Sequence, residues 1–287
     1  MGDTARGWLH RLAGLAGLAM LGIALALAVR HLTDMWRAQH LTGVWLGLAQ
    51  AWLDGNAYPP LHDNGYYGGT RYMPVLVALI AGLSRLTGDL LIGAKLSALI
   101  TTGALVAGVM TVSRQRSGSR GIGLLSAGML LAFPEGFAAL TMPHADALAA
   151  AAAVWGLVLL DRDEVYRGRV VLAGLLFGLA FLTKFSAVTG PVAAGIWLLT
   201  RGGWRRTVTV VSVAGGVAIL GVALAQLHSH GRMFENFRSL ATGGMTAESA
   251  GLGPTRLLLM MGRPTPFFLV WPLALGRLIA RARQRSW

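Results

Sequence analysis

Only two lysines, Lys95 and Lys184, occur among the 25 basic residues of the chain, and both lie in or beside apolar segments. Charge at that depth is expensive, so either an anionic partner such as phosphate meets it or the long stem snorkels to the interface. A second concentration of polar groups is "HDNGYYGGTRYMP", residues 62–74, where glycines separate His62, Asp63, Tyr66, Tyr67, Arg71 and Tyr72. Arg71 can hold an anion and the glycines let backbone approach a ligand, whereas the tyrosines either stack on that ligand or form an ordinary interfacial aromatic belt. A third is "MPHADALAA", with Asp146 three residues after Pro143 in the first turn of a helix. The helix dipole favours a carboxylate there, and simple capping is the competing use of the position. His144 and Asp146 stand two apart and do not share a helical face, so they make no ready metal pair. His228 and His230 read as part of a solvated loop rather than a chelate.

The elements that must position these groups are membrane helices. The 287 residues are 54% hydrophobic and 13% charged, and several apolar runs approach the ~20 residues that cross ~30 Å of hydrocarbon. The alternating period of a barrel is missing, so helices are the spanning element. The expected fold is all-α: a polytopic bundle of about eight spans, near 12–31, 89–112, 121–141, 145–160, 170–183, 186–200, 207–227 and 260–277. The first is expected to be a retained signal anchor. The segment 74–87 is too short to cross comfortably and is assigned to a long first external loop, 31–88. Within that loop Trp45, Leu48, Ala49 and Trp52 share one helical face, which suits a juxtamembrane helix in the interface, and Pro74 starts a second one. The whole chain, 1–287, reads as one transmembrane domain. With no cysteine there is no disulfide framework, thiolate zinc site or cysteine nucleophile. Motifs for nucleotide hydrolysis, serine esterase and zinc protease chemistry are absent. Small-residue repeats such as "GLAGLAMLG" fit close helix packing.

Arginine decides the sidedness, because positive residues accumulate in cytoplasmic loops. With 74–87 outside, the cytoplasmic side holds 15 of the 25 basic residues and 4 of the 12 acids; letting it cross would put "RQRSGSR" and "RGGWRR" outside. The expectation is therefore a multi-pass protein of the cytoplasmic (inner) membrane with both termini cytoplasmic. Most remaining acids, among them Asp34, Asp63 and Asp146, then face outward. The net charge of +13 is spread over five loops, which fits anionic headgroups better than nucleic acid.

Three stretches carry a family resemblance. "LAQAWLDGNAYPP" is similar to a helix that ends in Gly and leads to a Tyr/Pro loop, "TRYMPVLVALIAGLSRLTG" to a Pro-led juxtamembrane helix, and "GLAFLTKFSAVTGPVAA" to a Thr-Lys helix break. In that order, over about residues 10–230, they resemble the polyprenyl-phosphate-dependent glycosyltransferases of the GT-C superfamily, like glycosyltransferase family 39 and the aminoarabinose transferases. The chain would be a short member. The resemblance implies an inverting hexosyl or pentosyl transferase that moves a sugar from a polyprenyl-phosphate donor to a glycan, lipid or protein acceptor on the extracytoplasmic side.

In that superfamily one acid after the first span and a second in the next external loop act as base or metal-linked carboxylate. The matching positions are Asp34 and Asp146; the usual spacing to the helix-ending glycine falls nearer His40, which makes His40 the rival for the first. Such a reaction needs a base near the acceptor hydroxyl and cations near the departing phosphate. Arg71, Lys95 and Lys184 are the candidate cations, with Asp63, Tyr66, Tyr67, Tyr72 and His144 lining the cavity. No cofactor is demanded; a divalent metal ion stays open. A transporter or lipid flippase, or a non-catalytic membrane partner, are the competing readings, although the inverted repeats common in transporters are not evident.

Overall fold

A computed structural model describes residues 3–31, 40–63, 66–67, 69–161, 166–201 and 203–241. The chain divides into a unit over 1–236 and a second over 237–287. Of the second, only 237–241 are described. Helix α1, Asp3–Arg30, leads to α2, His40–Leu53. The loop after α2 carries a two-residue antiparallel pairing, β1 (His62–Asp63) with β2 (Tyr66–Tyr67), in the register His62 to Tyr67 and Asp63 to Tyr66. Next come α3, Pro74–Thr87, and α4, Leu90–Ser117. Asp89 caps α4 by accepting from the Ile92 amide at 2.8 Å, which satisfies one of the orphan donors of a helix start. Then follow α5 (Arg120–Ala132), α6 (Pro134–Thr141), α7 (Ala145–Leu160) and α8 (Arg167–Thr183). A 3-10 turn, Phe185–Val188, precedes α9 (Thr189–Thr200), α10 (Trp204–His228) and α11 (Arg232–Ala241).

The all-helical membrane bundle is what the composition implies; by length and composition, three to four of the expected eight spans are found among the described residues. Gly7–Arg30, Leu90–Ser117 and Trp204–His228 are long and apolar enough to cross, and α5 with α6 makes a fourth if the pair counts as one. That pair corrects the expected straight span 121–141. It bends by 81° because Phe133 is extended and Pro134 opens α6 at its first position, where a fixed φ and a missing N–H end one helix and start another. The run of 13 residues in α5 rises only about 20 Å before the bend. Helices α3 and α7 and the segment Phe185–Thr200 are apolar but short. The expected span 260–277 lies outside the described residues.

Close packing replaces side-chain bulk between α1 and α5. A Cβ on Gly17 would stand 2.3 Å from the Leu124 carbonyl carbon, and one on Gly121 would stand 1.9 Å from the His10 oxygen. Small residues are what allow backbones to approach so nearly in lipid. A second core joins α7, α8, α9 and α10 through Leu160, Phe177, Leu198 and Val210. The third joins α2 and α3 to the starts of α4 and α7: Trp45, Leu48, Ala49, Leu76, Ile80, Ala94 and Ala145 pack together. The apolar face of α2 is therefore the one its spacing predicts, yet protein rather than lipid covers it.

Candidate functional site

Helix connectivity sorts the polar residues to two ends. The end of α1 meets the start of α4, where Lys95 Nζ donates to the His31 carbonyl. The start of α7 meets the end of α8, where Lys184 Nζ donates to Asp146 Oδ1. The end of α10 meets the end of α2, where the His228 and Trp52 rings lie 5.5 Å apart. At the other end Arg116, in the last turn of α4, pairs with Asp161 at the end of α7 at 2.5 Å. The 21 residues from Lys95 to Arg116 place these ends about 32 Å apart.

The Lys184 to Asp146 pair follows from two local features. Asp146 occupies the first turn of α7, where a carboxylate meets the positive end of the helix. Helix α8 stops at Thr183, and Lys184 is extended (φ −151°, ψ 122°) before the 3-10 turn. The expected Thr-Lys break is thus real, and it releases Lys184 from helical geometry to reach the neighbouring mouth. The pair is open to water, with side chains 42% and 71% exposed. His144, which opens α7, lies within the field of both: burial depresses its pKa, Asp146 works against that, and Lys184 adds to it. A neutral imidazole beside a carboxylate and an ammonium follows.

Lys95 is different. It is only 2% exposed, and the chain carbonyl of His31 meets its ammonium, as a buried charge requires. Its neighbour Ala94 shares the third core with Ala145, next to Asp146. Tyr72 packs its ring on Trp45, with centroids 4.4 Å apart, and its carbonyl accepts from the Tyr58 hydroxyl at 3.0 Å. It anchors the loop, whereas Arg71 beside it is exposed. The side chains of His40, His62, Asp63, Tyr66 and Tyr67, and the whole of Asp34, lie outside the described residues. Among the described residues no three His, Asp or Glu side chains are grouped to hold a metal ion.

Two features went unread in the sequence. Tyr58 is buried, and burial pushes its hydroxyl pKa up. Helix α11 clamps the same loop: Arg232 donates to Asn56 Oδ1 at 2.6 Å, and Asn236 Nδ2 donates to the Pro59 carbonyl at 3.0 Å. The signals were Asn-Gly at 64–65, which marks a hairpin, and the turn His230-Gly231, whose positive φ values (50° and 91°) end α10 and start another helix.

The described residues thus gather a carboxylate, a histidine and lysines at one end of a helical membrane bundle. Residues 72–228, more than half of the chain, match the family model described as dolichyl-phosphate-mannose-protein mannosyltransferase. The chain belongs to that family of membrane glycosyltransferases. The match includes Tyr72, Lys95, His144, Asp146 and Lys184, and begins after Asp34, His40, Asp63, Tyr66, Tyr67 and Arg71. No curated protein and no solved structure matches the chain.

Proposed function

We propose that the protein transfers a sugar from a polyprenyl-phosphate donor to an acceptor hydroxyl at the end of the bundle that carries Asp146. The observation that carries this reading is the contact between Lys184 and Asp146 at the mouth of α7, inside the stretch that matches the family. Without donor, ammonium and carboxylate neutralise each other. A phosphate placed there competes for Lys184 and leaves the Asp146 carboxylate as a base. The acceptor O–H proton then passes to Asp146, the acceptor oxygen bonds to the anomeric carbon, and the bond from that carbon to the phosphate oxygen breaks. The electron pair leaves with the polyprenyl phosphate, whose charge Lys184 and Arg71 offset. Attack opposite the leaving group inverts the anomeric centre. Asp34 or His40 is assigned the second acid or base position, and Asp63, Tyr66, Tyr67 and Tyr72 the rim of the cavity.

The same reading puts the Asp146 end on the extracytoplasmic side and the arginine-rich end in the cytosol, in accord with the positive-inside bias. Purified protein is given a radiolabelled polyprenyl-phosphate sugar and membrane extract, with Asp146→Asn, Lys184→Ala, Asp34→Asn and His40→Ala as comparisons. Transfer that disappears in Asp146→Asn with folding unchanged supports the enzyme. Translocation of the labelled lipid without bond cleavage would replace it with a flippase.

A further inference from the structure

The arginine-rich end contains a cavity that the transfer reaction does not use. It is a slot of about 350 Å³ between three helices. Val109 and Val112 of α4, Val154 and Leu157 of α7, and Trp197 of α9 form its walls. Arg116, held by Asp161 at 2.5 Å, lines it, and Arg201 lies 4.7 Å over the ring of the wall residue Trp197. Asp161 is the one carboxylate that borders the slot among the described residues. Asp146, at the opposite end of α7, is 15 residues and so about 22 Å away, which separates this slot from the transfer site.

Last-turn arginines first offset the negative ends of their own helices, and that alone would explain Arg116. It does not explain the surplus. Arg120 opens α5, and Arg205 and Arg206 open α10, at positive helix ends that call for no cation. An apolar slot walled in part by an indole, with Arg116 in its lining and Arg201 over that indole, matches an amphiphile with an apolar chain and an anionic head. A free anion would use the arginines but leave the valine and leucine walls unfilled.

We infer that this slot binds an anionic phospholipid, its acyl chain between α4, α7 and α9 and its phosphate on Arg116 and Arg201. Asp161 is the internal competitor: it occupies Arg116 when no lipid is bound and is displaced when the phosphate arrives. The consequence is a sign that a structural ion pair cannot give. Arg116→Gln and Asp161→Asn break the same pair, so a purely structural pair responds alike to both. A lipid site responds in opposite directions.

The test is retention of phosphatidylglycerol and phosphatidylcholine by the full-length protein in native mass spectrometry, with the melting temperature of each variant recorded. Phosphatidylglycerol should be retained in preference to phosphatidylcholine. Each of Arg116→Gln and Arg201→Gln should weaken phosphatidylglycerol retention by about fivefold, the effect of one cation near the headgroup. Asp161→Asn should strengthen it. Val154→Trp, which fills the slot and leaves every charge in place, should weaken it as well. The inference is overturned if the two lipids are retained equally, if Asp161→Asn weakens retention as Arg116→Gln does, or if soluble glycerol phosphate displaces the lipid at matched concentration.

Discussion

Among the described residues, α7 carries an ion pair to a neighbouring helix end at its start and another at its finish, and the two pairs differ in everything but type. Lys184 and Asp146 sit beside a half-buried histidine, in a helix break. Arg116 and Asp161 sit at regular helix ends, over an apolar slot, among further arginines. Neither pair is a strong stabiliser, since exposed pairs contribute about 0–1 kcal/mol. The surroundings, not the contact, decide what each pair can do: a neutral imidazole beside a helix break favours proton and phosphate chemistry, while an apolar slot beside a guanidinium favours a lipid.

The sharpest way to break this contrast is to make the same change at both ends. Asp146→Asn should lower transfer at least about 100-fold, the usual contribution of a positioned base. The folded protein should lose about 1 kcal/mol or less, because the pair is exposed. Asp161→Asn should leave transfer within about twofold. Reversing the first pair, with Asp146→Lys and Lys184→Asp together, should restore the ion pair and not the activity. Equal losses of transfer from Asp146→Asn and Asp161→Asn would show that both pairs matter only as struts.

A second comparison concerns glycines in α1. Gly17 faces the Leu124 backbone with no room for a Cβ, whereas Gly22 has nothing within 4 Å of one. Gly17→Ala should destabilise the α1 contact by about 1–3 kcal/mol, the range for overpacking. Gly22→Ala should be neutral or slightly stabilising, as a helical glycine replaced by alanine gains up to about 1 kcal/mol. Melting temperatures in one detergent check both. Tyr58→Phe is expected to fall below that, near 1 kcal/mol for the lost hydrogen bond to the Tyr72 carbonyl, with transfer reduced in parallel because Arg71 and Tyr72 share that loop.

Much of this organisation was legible before any coordinates. The bounds of α3 and α7 follow from Pro74 and the Pro143 turn, which are local rules, while the break at Lys184 is the one the family resemblance implied. The apolar face of α2 followed from i, i+3, i+4, i+7 spacing, but spacing does not say whether lipid or protein covers a face, and here protein does. The bend at Pro134 was missed because hydropathy sums over the run while proline acts at one residue. The pairing of Asp146 with Lys184 spans 38 positions, and no local rule carries that distance. The clamp from α11 was hidden for the same reason: Arg232 and Asn56 are 176 positions apart.

The smallest expected effect is also the one that reads the transfer end most directly. Burial, the larger cause, and Lys184 both depress the pKa of His144, and Asp146 opposes them. A histidine whose folded pKa is lowered contributes stability that is present above its unfolded value, near 6.5, and that is lost as pH falls through the folded value. The protein should therefore lose stability on acidification below about pH 6.5, and His144→Gln should remove that part of the decline. Among the described residues no histidine lines the slot of Arg116 and Asp161, so Asp161→Asn should leave the acid limb near pH 6 unchanged. The sign extends to Asp146. With its carboxylate neutralised in Asp146→Asn, the influence that raises the histidine pKa is gone, so the decline should start at the same pH, near the unfolded value, but run deeper. A shallower decline would mean that His144 is held by something other than burial, Asp146 and Lys184, and the mouth of α7 would have to be rebuilt.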